Sequence, residues 1–304
     1  MKQDWFNCMM QKQPISTDKH TMEVKKQNEQ TIFIKKASGE KEPFKVEKLK
    51  ESMRRAGAEE EIIQQISEDI SNWIYEGITT QKIYGRAFSL LRKKKKYAAS
   101  RYKLKKAIME LGPTGYPFEH FIGKVLELQG FKTEVGQVVN GKCVTHEVDV
   151  IATRNNERYF VECKYGTSPG KVFNVQVPLY IRSRVNDIIE QCKEDEKYNS
   201  FNFYGWVVTN TRFSSDAIDY GTCSGLNLLS WDFPANKGLK DIIDRNKIFP
   251  LTVLHNLTKA QKQRLMDNGI VICRQIRENP EVLEPFQIKP KKLNSLMEEI
   301  DDLS

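Results

Sequence analysis

The sequence predicts a multi-domain α/β protein: a mostly helical N-terminal domain, a central domain built on a mixed sheet flanked by helices, and a C-terminal helical segment. Polar and apolar residues alternate along residues 145–151 and 159–164, as they do in paired strands. Two apolar runs, residues 205–210 and 226–232, enclose a short helical segment, and this order predicts a right-handed crossover and a parallel pair of strands. Between positions 62 and 91, apolar residues recur at helical spacing instead.

Length and composition limit the possible classes. The 304 residues allow two to three small domains, and 39% hydrophobic residues suffice for packed cores. A formal charge of +8 favours a polyanionic partner, although net charge alone does not identify it. The six cysteines show no paired spacing, which indicates reduced thiols in a cytoplasmic protein, with Cys163 buried. Residues 1–10 contain no long apolar run, so neither a secretory signal nor a membrane anchor is expected there.

The N-terminal third divides into an arm and a first domain. Residues 1–30 are rich in Gln, Lys and Asn and are expected to form a flexible arm. The domain that follows, residues 31–112, begins with a short strand, a glycine turn and a basic helix. These elements can present backbone amides and lysines to a polyphosphate. Thr79 or Thr80 can cap a later helix of this domain.

The strands at residues 145–151 and 159–164 are predicted to pair as a hairpin, because residues 154–158 contain turn formers and no apolar residue. Alternation then assigns each side chain to one of two faces. One face is predicted to contain Glu147, Asp149, Ile151, Phe160, Glu162 and Lys164, and the opposite, apolar face to contain Val148, Val150, Val161 and Cys163.

The hairpin can therefore bring two carboxylates and a lysine together. Hard divalent cations prefer carboxylate oxygens, and Mg²⁺ commonly takes a few carboxylates together with water and substrate phosphate. Asp149 and Glu162 could bind such a cation. Lys164 could orient or deprotonate an attacking water, or stabilise charge on a phosphate. The alternative interpretation is a solvated strand face with ordinary charges.

This D…ExK arrangement resembles the PD-(D/E)XK nuclease superfamily and, within it, the Mrr-type restriction endonuclease domains. The resemblance covers about residues 116–254 and implies metal-dependent hydrolysis of phosphodiester bonds with Mg²⁺ or Mn²⁺ as cofactor. The residues it implies for the site are Glu119, Asp149, Glu162, Lys164, Gln176 and Tyr180, of which the three carboxylates are the metal ligands.

Three of these residues lie outside the hairpin. Helical spacing places Glu119 on the same side as Ile122 and Leu126, an unusual position for a carboxylate without a function. Gln176 and Tyr180 match a QxxxY element of related nucleases, although each alone could also belong to an ordinary core helix.

Residues 31–112 resemble the ATP-cone, the nucleotide-sensing module of many ribonucleotide reductases. The matching stretches are residues 35–40 (KKASGE), 44–49 (FKVEKL), 76–80 and 97–102. The resemblance implies that ATP or dATP binds as an effector, and no phosphate loop of the motor type is present to use it as fuel. The candidate nucleotide-binding residues are Lys35, Lys36, Glu42, Lys45, Lys48 and Thr80. The alternative is a small helical domain with a lysine-rich solvated face.

Residues 256–304 are predicted to be helical. A turn at Asn268-Gly269 separates two helical segments, which is the order of a helix-hairpin-helix motif whose turn amides bind DNA phosphates. A helical cap packed on the nuclease domain fits the pattern equally well.

Taken as a whole, the sequence predicts a cytoplasmic, metal-dependent DNA endonuclease of restriction or defence type with ATP or dATP as effector. Cutting both strands of a duplex requires two active sites, so a homo-oligomer, a dimer or larger, is expected. One alternative is a catalytically silent nuclease fold that acts as a nucleotide-responsive DNA-binding module, although such a protein has no need to keep Asp149, Glu162 and Lys164 together. A nuclease acting on RNA is a further alternative.

Overall fold

The structure is a computed structural model, and it describes residues 31–36 and 39–303. The expected flexible arm, residues 1–30, lies outside the described residues, as does the Ala37-Ser38 pair of the KKASGE turn. In the described part of the chain, no helix has the length and apolar character needed to cross a membrane.

The N-terminal domain pairs a short antiparallel hairpin with four helices. Its elements are β1 (Phe33–Lys35), β2 (Lys41–Pro43), α1 (Val46–Arg55), α2 (Glu60–Trp73), α3 (Thr80–Lys94) and α4 (Lys96–Ile108). The capping prediction is confirmed for Thr79, whose hydroxyl accepts a hydrogen bond from the Lys82 N–H at 3.3 Å. Apolar side chains of all four helices form one buried cluster between them.

Helix α4 belongs to two hydrophobic clusters. Ala98 and Ala99 pack in the cluster of the N-terminal domain, whereas Leu104 and Ile108 pack in the core of the domain that follows. The predicted boundary after residue 112 therefore stays a prediction, because half of the preceding helix packs beyond it.

The central domain is a five-stranded mixed sheet between helices. Its elements are α5 (Tyr116–Glu127), β3 (Lys132–Asn140), β4 (Thr145–Arg154), β5 (Glu157–Lys164), β6 (Val172–Phe173), α6 (Gln176–Lys193), β7 (Asn202–Thr209), β8 (Arg212–Phe213), α7 (Ser215–Cys223), β9 (Asn227–Leu229) and α8 (Leu239–Asn246). The strand order is β3-β4-β5-β7-β9, with β3, β4 and β5 antiparallel and β5, β7 and β9 parallel. The predicted hairpin, parallel pair and mixed sheet are thus confirmed.

The strict alternation predicted for β4 is wrong at Asp149. Strand β3 pairs with Val148 and Val150, but Gly136, opposite Asp149, leaves the ladder with a φ of 64°. Pairing of β4 with β5 begins at Val150↔Val161. Since neither neighbouring strand pairs with Asp149, the pleat is interrupted there. Val148 consequently packs in the cluster on the α6 side of the sheet, and Val150 packs in the cluster on the α5 side.

The C-terminal helices complete the core on the α5 side. They are α9 (Lys259–Asp267), α10 (Cys273–Glu278) and α11 (Pro290–Asp301). Leu265, Ile276 and Ile300 are buried in the same cluster as Phe118 of α5. The C-terminal helices therefore share a hydrophobic cluster with α5 and the sheet, as expected if they form a helical cap packed on the nuclease domain.

The turn between α9 and α10 has its amides already engaged. The N–H groups of residues 268–270 donate to carbonyls of Leu265 and Met266, and those of Val271 and Ile272 donate to Gln275 Oε1. The expectation that this turn offers its amides to DNA phosphates is therefore wrong for residues 268–272.

Asp187 of α6 forms hydrogen bonds with the tip of the β3–β4 hairpin. Its Oδ1 accepts from the Cys143 N–H at 2.9 Å, and its Oδ2 lies 2.7 Å from His146 Nε2. These bonds, led by the one with His146, hold the pKa of Asp187 at about 2.

The five described cysteines, Cys143 among them, are free thiols, and Cys163 is buried as predicted.

We expect Asp187→Asn to be less stable than the wild type at neutral pH. The carboxylate has a lower pKa in the folded protein than its ordinary 3.8, so its contribution is present above that value and is lost as the pH falls through about 2. The difference between the two urea midpoints should therefore stay constant down to about pH 4 and shrink below it. Glu190→Gln, an exposed change on the same helix, is the control. A difference that does not depend on pH would show that Asp187 does not act through its charge.

Candidate active site

Asp149 lies at the interruption of β4, and its side chain connects this strand to the C-terminal part of β5. Its Oδ2 accepts a hydrogen bond from the Cys163 N–H at 2.6 Å, beyond the last ladder pair of β4 and β5. Burial, and then the charge of Glu162, raises the pKa of Asp149 to about 6. Local unpairing therefore leaves the carboxylate directed at the neighbouring strand.

Glu162 is 7% exposed and is held between two cations. Its Oε1 contacts Lys164 Nζ, and its Oε2 accepts from Arg184 Nη1 at 2.7 Å. Arg184, on α6, also donates to the Glu147 carbonyl, and its guanidinium lies 5.5 Å from the Tyr180 ring centroid. These contacts compensate the charge of a nearly buried carboxylate.

Glu119, in the first turn of α5, is the third carboxylate of the site. Burial is the largest cause that raises its pKa to about 7, followed by the charges of Asp149, Glu147 and Glu162. The side chain folds back over the start of its own helix, since a Cβ at position 115 would lie 2.7 Å from Glu119 Oε1. Gly115 thus leaves the space that the carboxylate occupies.

The chemistry of this group of residues suits a hard divalent cation. Three carboxylates with little compensating charge between Glu119 and Asp149 disfavour full ionisation, and either protons or a cation would relieve that repulsion. Within residues 31–36 and 39–303, no three acidic, imidazole or thiol groups are close enough to form a finished metal site. Both oxygens of Glu162 instead face the cations Lys164 and Arg184.

The structure brings Glu119, Asp149, Glu162 and Lys164 into one electrostatic neighbourhood. Their catalytic and metal-binding roles stay predictions. Tyr180 is exposed and reaches this neighbourhood through Arg184. Gln176 is exposed at the start of α6, where its N–H donates to Asn174 Oδ1 at 3.1 Å, and the described contacts do not connect it to the carboxylates.

Arg184 is the residue that the sequence analysis missed. It follows Gln176 and Tyr180 at intervals of eight and four residues, so the three share one side of α6. Extending the QxxxY spacing by one more turn would have found it.

The nucleotide-binding candidates lie around the β1–β2 hairpin. Lys36 Nζ and Lys48 Nζ lie 3.2 and 3.3 Å from Glu42 Oε2, which forms a small exposed ion cluster. The backbone of Lys35 bridges to Thr79, directly before Thr80 at the start of α3. Lys45 is exposed at the residue preceding α1.

Comparison with known proteins agrees with the fold of the central domain. Residues 113–232 match the family model of a restriction endonuclease, and residues 249–304 match the model described as AF1548-like, C-terminal. An uncharacterized protein of Archaeoglobus fulgidus is 30% identical over 179 residues, which span 97% of that protein and 59% of this chain. The crystal structure of AF1548, a protein of unknown function, is 29% identical with a TM-score of 0.52, and the match covers 98% of that structure and 62% of this chain.

The chain therefore contains a restriction endonuclease domain, the class of protein that a mixed sheet with this carboxylate and lysine arrangement suggests. More particularly, it belongs to the AF1548-like family, and in this chain the restriction endonuclease domain precedes the AF1548-like C-terminal domain. The two family models begin at residues 113 and 249, so neither covers the segment that resembles an ATP-cone.

Proposed function

We propose that this protein is a divalent-metal-dependent DNA endonuclease of restriction or defence type, which hydrolyses phosphodiester bonds. The observation that carries the proposal is the nearly buried Glu162, placed beside Lys164 and within electrostatic range of Asp149 in a restriction endonuclease domain. Burying a carboxylate is costly unless a cation compensates it. Lys164 and Arg184 supply that compensation here, and a module that only binds DNA has no need to keep Asp149, Glu162 and Lys164 together.

Asp149, Glu162 and Glu119 would hold Mg²⁺ or Mn²⁺, with Asp149 and Glu162 as the principal ligands. A bound ion of this kind supplies Lewis acidity to a phosphoryl oxygen and lowers the pKa of a water. Glu162 must first loosen one of its two ionic contacts to become a ligand, which its flexible partner Lys164 allows more readily than Arg184.

Lys164 would act directly on the reacting groups. Its side chain is 32% exposed, so the ammonium can reach substrate while its neighbour Glu162 keeps it oriented. The ammonium can orient the attacking water, and a hydrogen bond from Nζ to a non-bridging phosphate oxygen becomes stronger as negative charge develops there in the transition state. Water then attacks phosphorus and the bond to the leaving oxygen breaks. The water gives up one proton to solvent and the leaving oxygen takes up one, so that the products are a phosphomonoester and an alcohol.

Incubation with supercoiled plasmid tests the proposal. We expect nicked or linear products with Mg²⁺ or Mn²⁺ and none with EDTA, and Asp149→Asn is the inactive control. Because cutting a duplex needs two active sites, we also propose a homodimer, to be checked by sizing. Plasmid that is bound but left intact with both metals would favour the silent DNA-binding alternative. Cleavage of an RNA oligonucleotide alone would favour the RNA nuclease alternative.

We further propose that residues 31–112 bind ATP or dATP as an effector without hydrolysing it. The exposed Lys36–Glu42–Lys48 cluster beside Lys35 is the support, since its lysines can neutralise phosphates. For control of the nuclease, nucleotide must bind one conformation or assembly better than another.

The double variant Lys35→Ala/Lys36→Ala is expected to weaken nucleotide binding by about tenfold or more, because each lysine removed is a charged partner of a phosphate. Calorimetry with ATP and dATP measures the change, and Lys93→Ala/Lys94→Ala on the last turn of α3 is the control with the same change in charge. Equal affinity in the double variant and the wild type would show that the hairpin lysines do not bind nucleotide.

A further inference from the structure

A cavity of about 670 Å³ lies between the N-terminal domain and the nuclease domain. Its walls come from α1, α4 and α8, together with Trp231, which follows β9. Ligand sites commonly occur at such junctions and have volumes of about 300–1,000 Å³. The cavity is therefore large enough for a ligand the size of a mononucleotide.

The lining of the cavity is cationic. Five cationic side chains face three acidic ones; the cationic residues are Lys48, Arg55, Arg101, Lys105 and Lys240. The three acidic residues already have partners: Glu51 pairs with Arg55, Asp244 pairs with Arg101, and Asp241 accepts from the Gly238 N–H at 3.0 Å. An excess of two positive charges is left for an anion.

Two of the lysines have no carboxylate partner among the described residues, and Trp231 lies close to one of them. Lys105 Nζ lies 4.4 Å from the Trp231 ring centroid and donates to the Asn210 carbonyl at 2.6 Å. Burial lowers the pKa of Lys105 to about 8, and a bound anion would reverse that effect. Lys240 lies in the first turn of α8, on the nuclease side of the cavity.

Aromatic surface completes the lining. The Trp231 indole offers stacking area to a planar group. The Tyr102 ring also lines the cavity, and it already stacks on Tyr84 with the ring centroids 4.8 Å apart. Within the described residues, an indole and unpaired cations in one cavity match two parts of a nucleotide, the base and the phosphate.

We infer that this interdomain cavity is a binding site for a nucleoside phosphate, with the base against Trp231 and the phosphate between Lys105 and Lys240. The site is separate from the β1–β2 hairpin, and of the residues proposed there only Lys48 also lines the cavity. A ligand here contacts both domains at once, so it would stabilise one relative arrangement of them. The inference goes beyond the effector role proposed for the hairpin and does not depend on nuclease activity.

Calorimetry and tryptophan fluorescence on the full-length protein test the site, with ATP, AMP and inorganic pyrophosphate as probes. We expect ATP to quench fluorescence, and Trp231→Phe to remove most of the quench. Lys240→Glu should weaken ATP binding by about tenfold or more, because it replaces a charged partner of the phosphate by a repelling one. Lys237→Glu, an exposed change of the same charge just before α8, is the control and should bind like the wild type.

Three results would overturn the inference. If the Lys35→Ala/Lys36→Ala variant loses ATP binding and the Lys240→Glu variant keeps it, the nucleotide binds on the hairpin, and the effector proposal remains valid. Pyrophosphate binding as tightly as ATP would exclude a role for the base. No ATP or AMP binding by the wild type would remove both nucleotide proposals, whereas the plasmid assay without nucleotide would still decide the nuclease proposal.

Discussion

Lys164→Met is expected to lower the rate of plasmid cleavage by at least about 100-fold, the usual loss when a positioned group that acts on the attacking water is removed. The substitution keeps a chain of similar length but deletes the ammonium beside Glu162. DNA affinity should change little, because it comes from many dispersed phosphate contacts of which this is at most one. Cleavage and binding are measured on the same plasmid under single-turnover conditions.

Lys171→Met provides the matched control for that experiment. Lys171 is an exposed lysine of the same domain that lies near the Phe173 ring and makes no described contact with the carboxylates. It should cleave as the wild type does. Wild-type rates in the Lys164→Met protein would mean that Lys164 has no part in the reaction and would remove the main support for a catalytic site here.

Arg184→Ala is expected to destabilise the metal-free protein by about 2–3 kcal/mol, somewhat less than the loss for a fully buried pair, since Arg184 retains 16% exposure. Removing the guanidinium leaves Glu162 buried with only Lys164 as partner. A divalent cation can replace the lost charge, so Mn²⁺ should stabilise the variant more than it stabilises the wild type. Urea unfolding with and without Mn²⁺ measures both effects.

Two further variants make this result specific. Arg182→Ala removes an arginine two residues away on α6 and should have a small effect on stability. The double variant Arg184→Ala/Glu162→Gln should recover much of the lost stability, because the unpaired charge is then absent. If Arg184→Ala is as stable as the wild type without metal, Arg184 does not compensate Glu162.

Local periodicity was sufficient to predict the hairpin of β4 and β5 and the parallel strands that follow, because each depends on alternation or turn residues within a short stretch. It failed at Asp149 because alternation assumes that a strand is paired on both sides. The interruption requires Gly136 on β3 and the offset start of β5 pairing, and both depend on contacts distant in sequence. The residue with the greatest chemical interest therefore lies where the local rule breaks down.

The contacts of the site were less predictable than its members. Glu162 and Lys164 are two residues apart on one strand, so their proximity follows from the sequence. Arg184 approaches Glu162 only because α6 docks across the sheet, and no spacing within the helix defines that docking. In the C-terminal region the sequence indicated a helical hairpin, but the engagement of its turn by Gln275 depends on a side-chain orientation that residue type alone does not define.

Because helix α4 packs in both hydrophobic clusters, we expect the N-terminal domain and the nuclease core to unfold as a single cooperative unit. The amides of α4 between residues 98 and 108 should therefore exchange with deuterium at one common, slow rate, because opening either end exposes buried surface of the other. An isolated fragment ending at residue 112 would carry Leu104, Ile108 and Leu111 into water without their partners. The two parts are thus connected by a shared structural element and not by a linker, so a fragment that ends within this helix or directly after it should fold poorly.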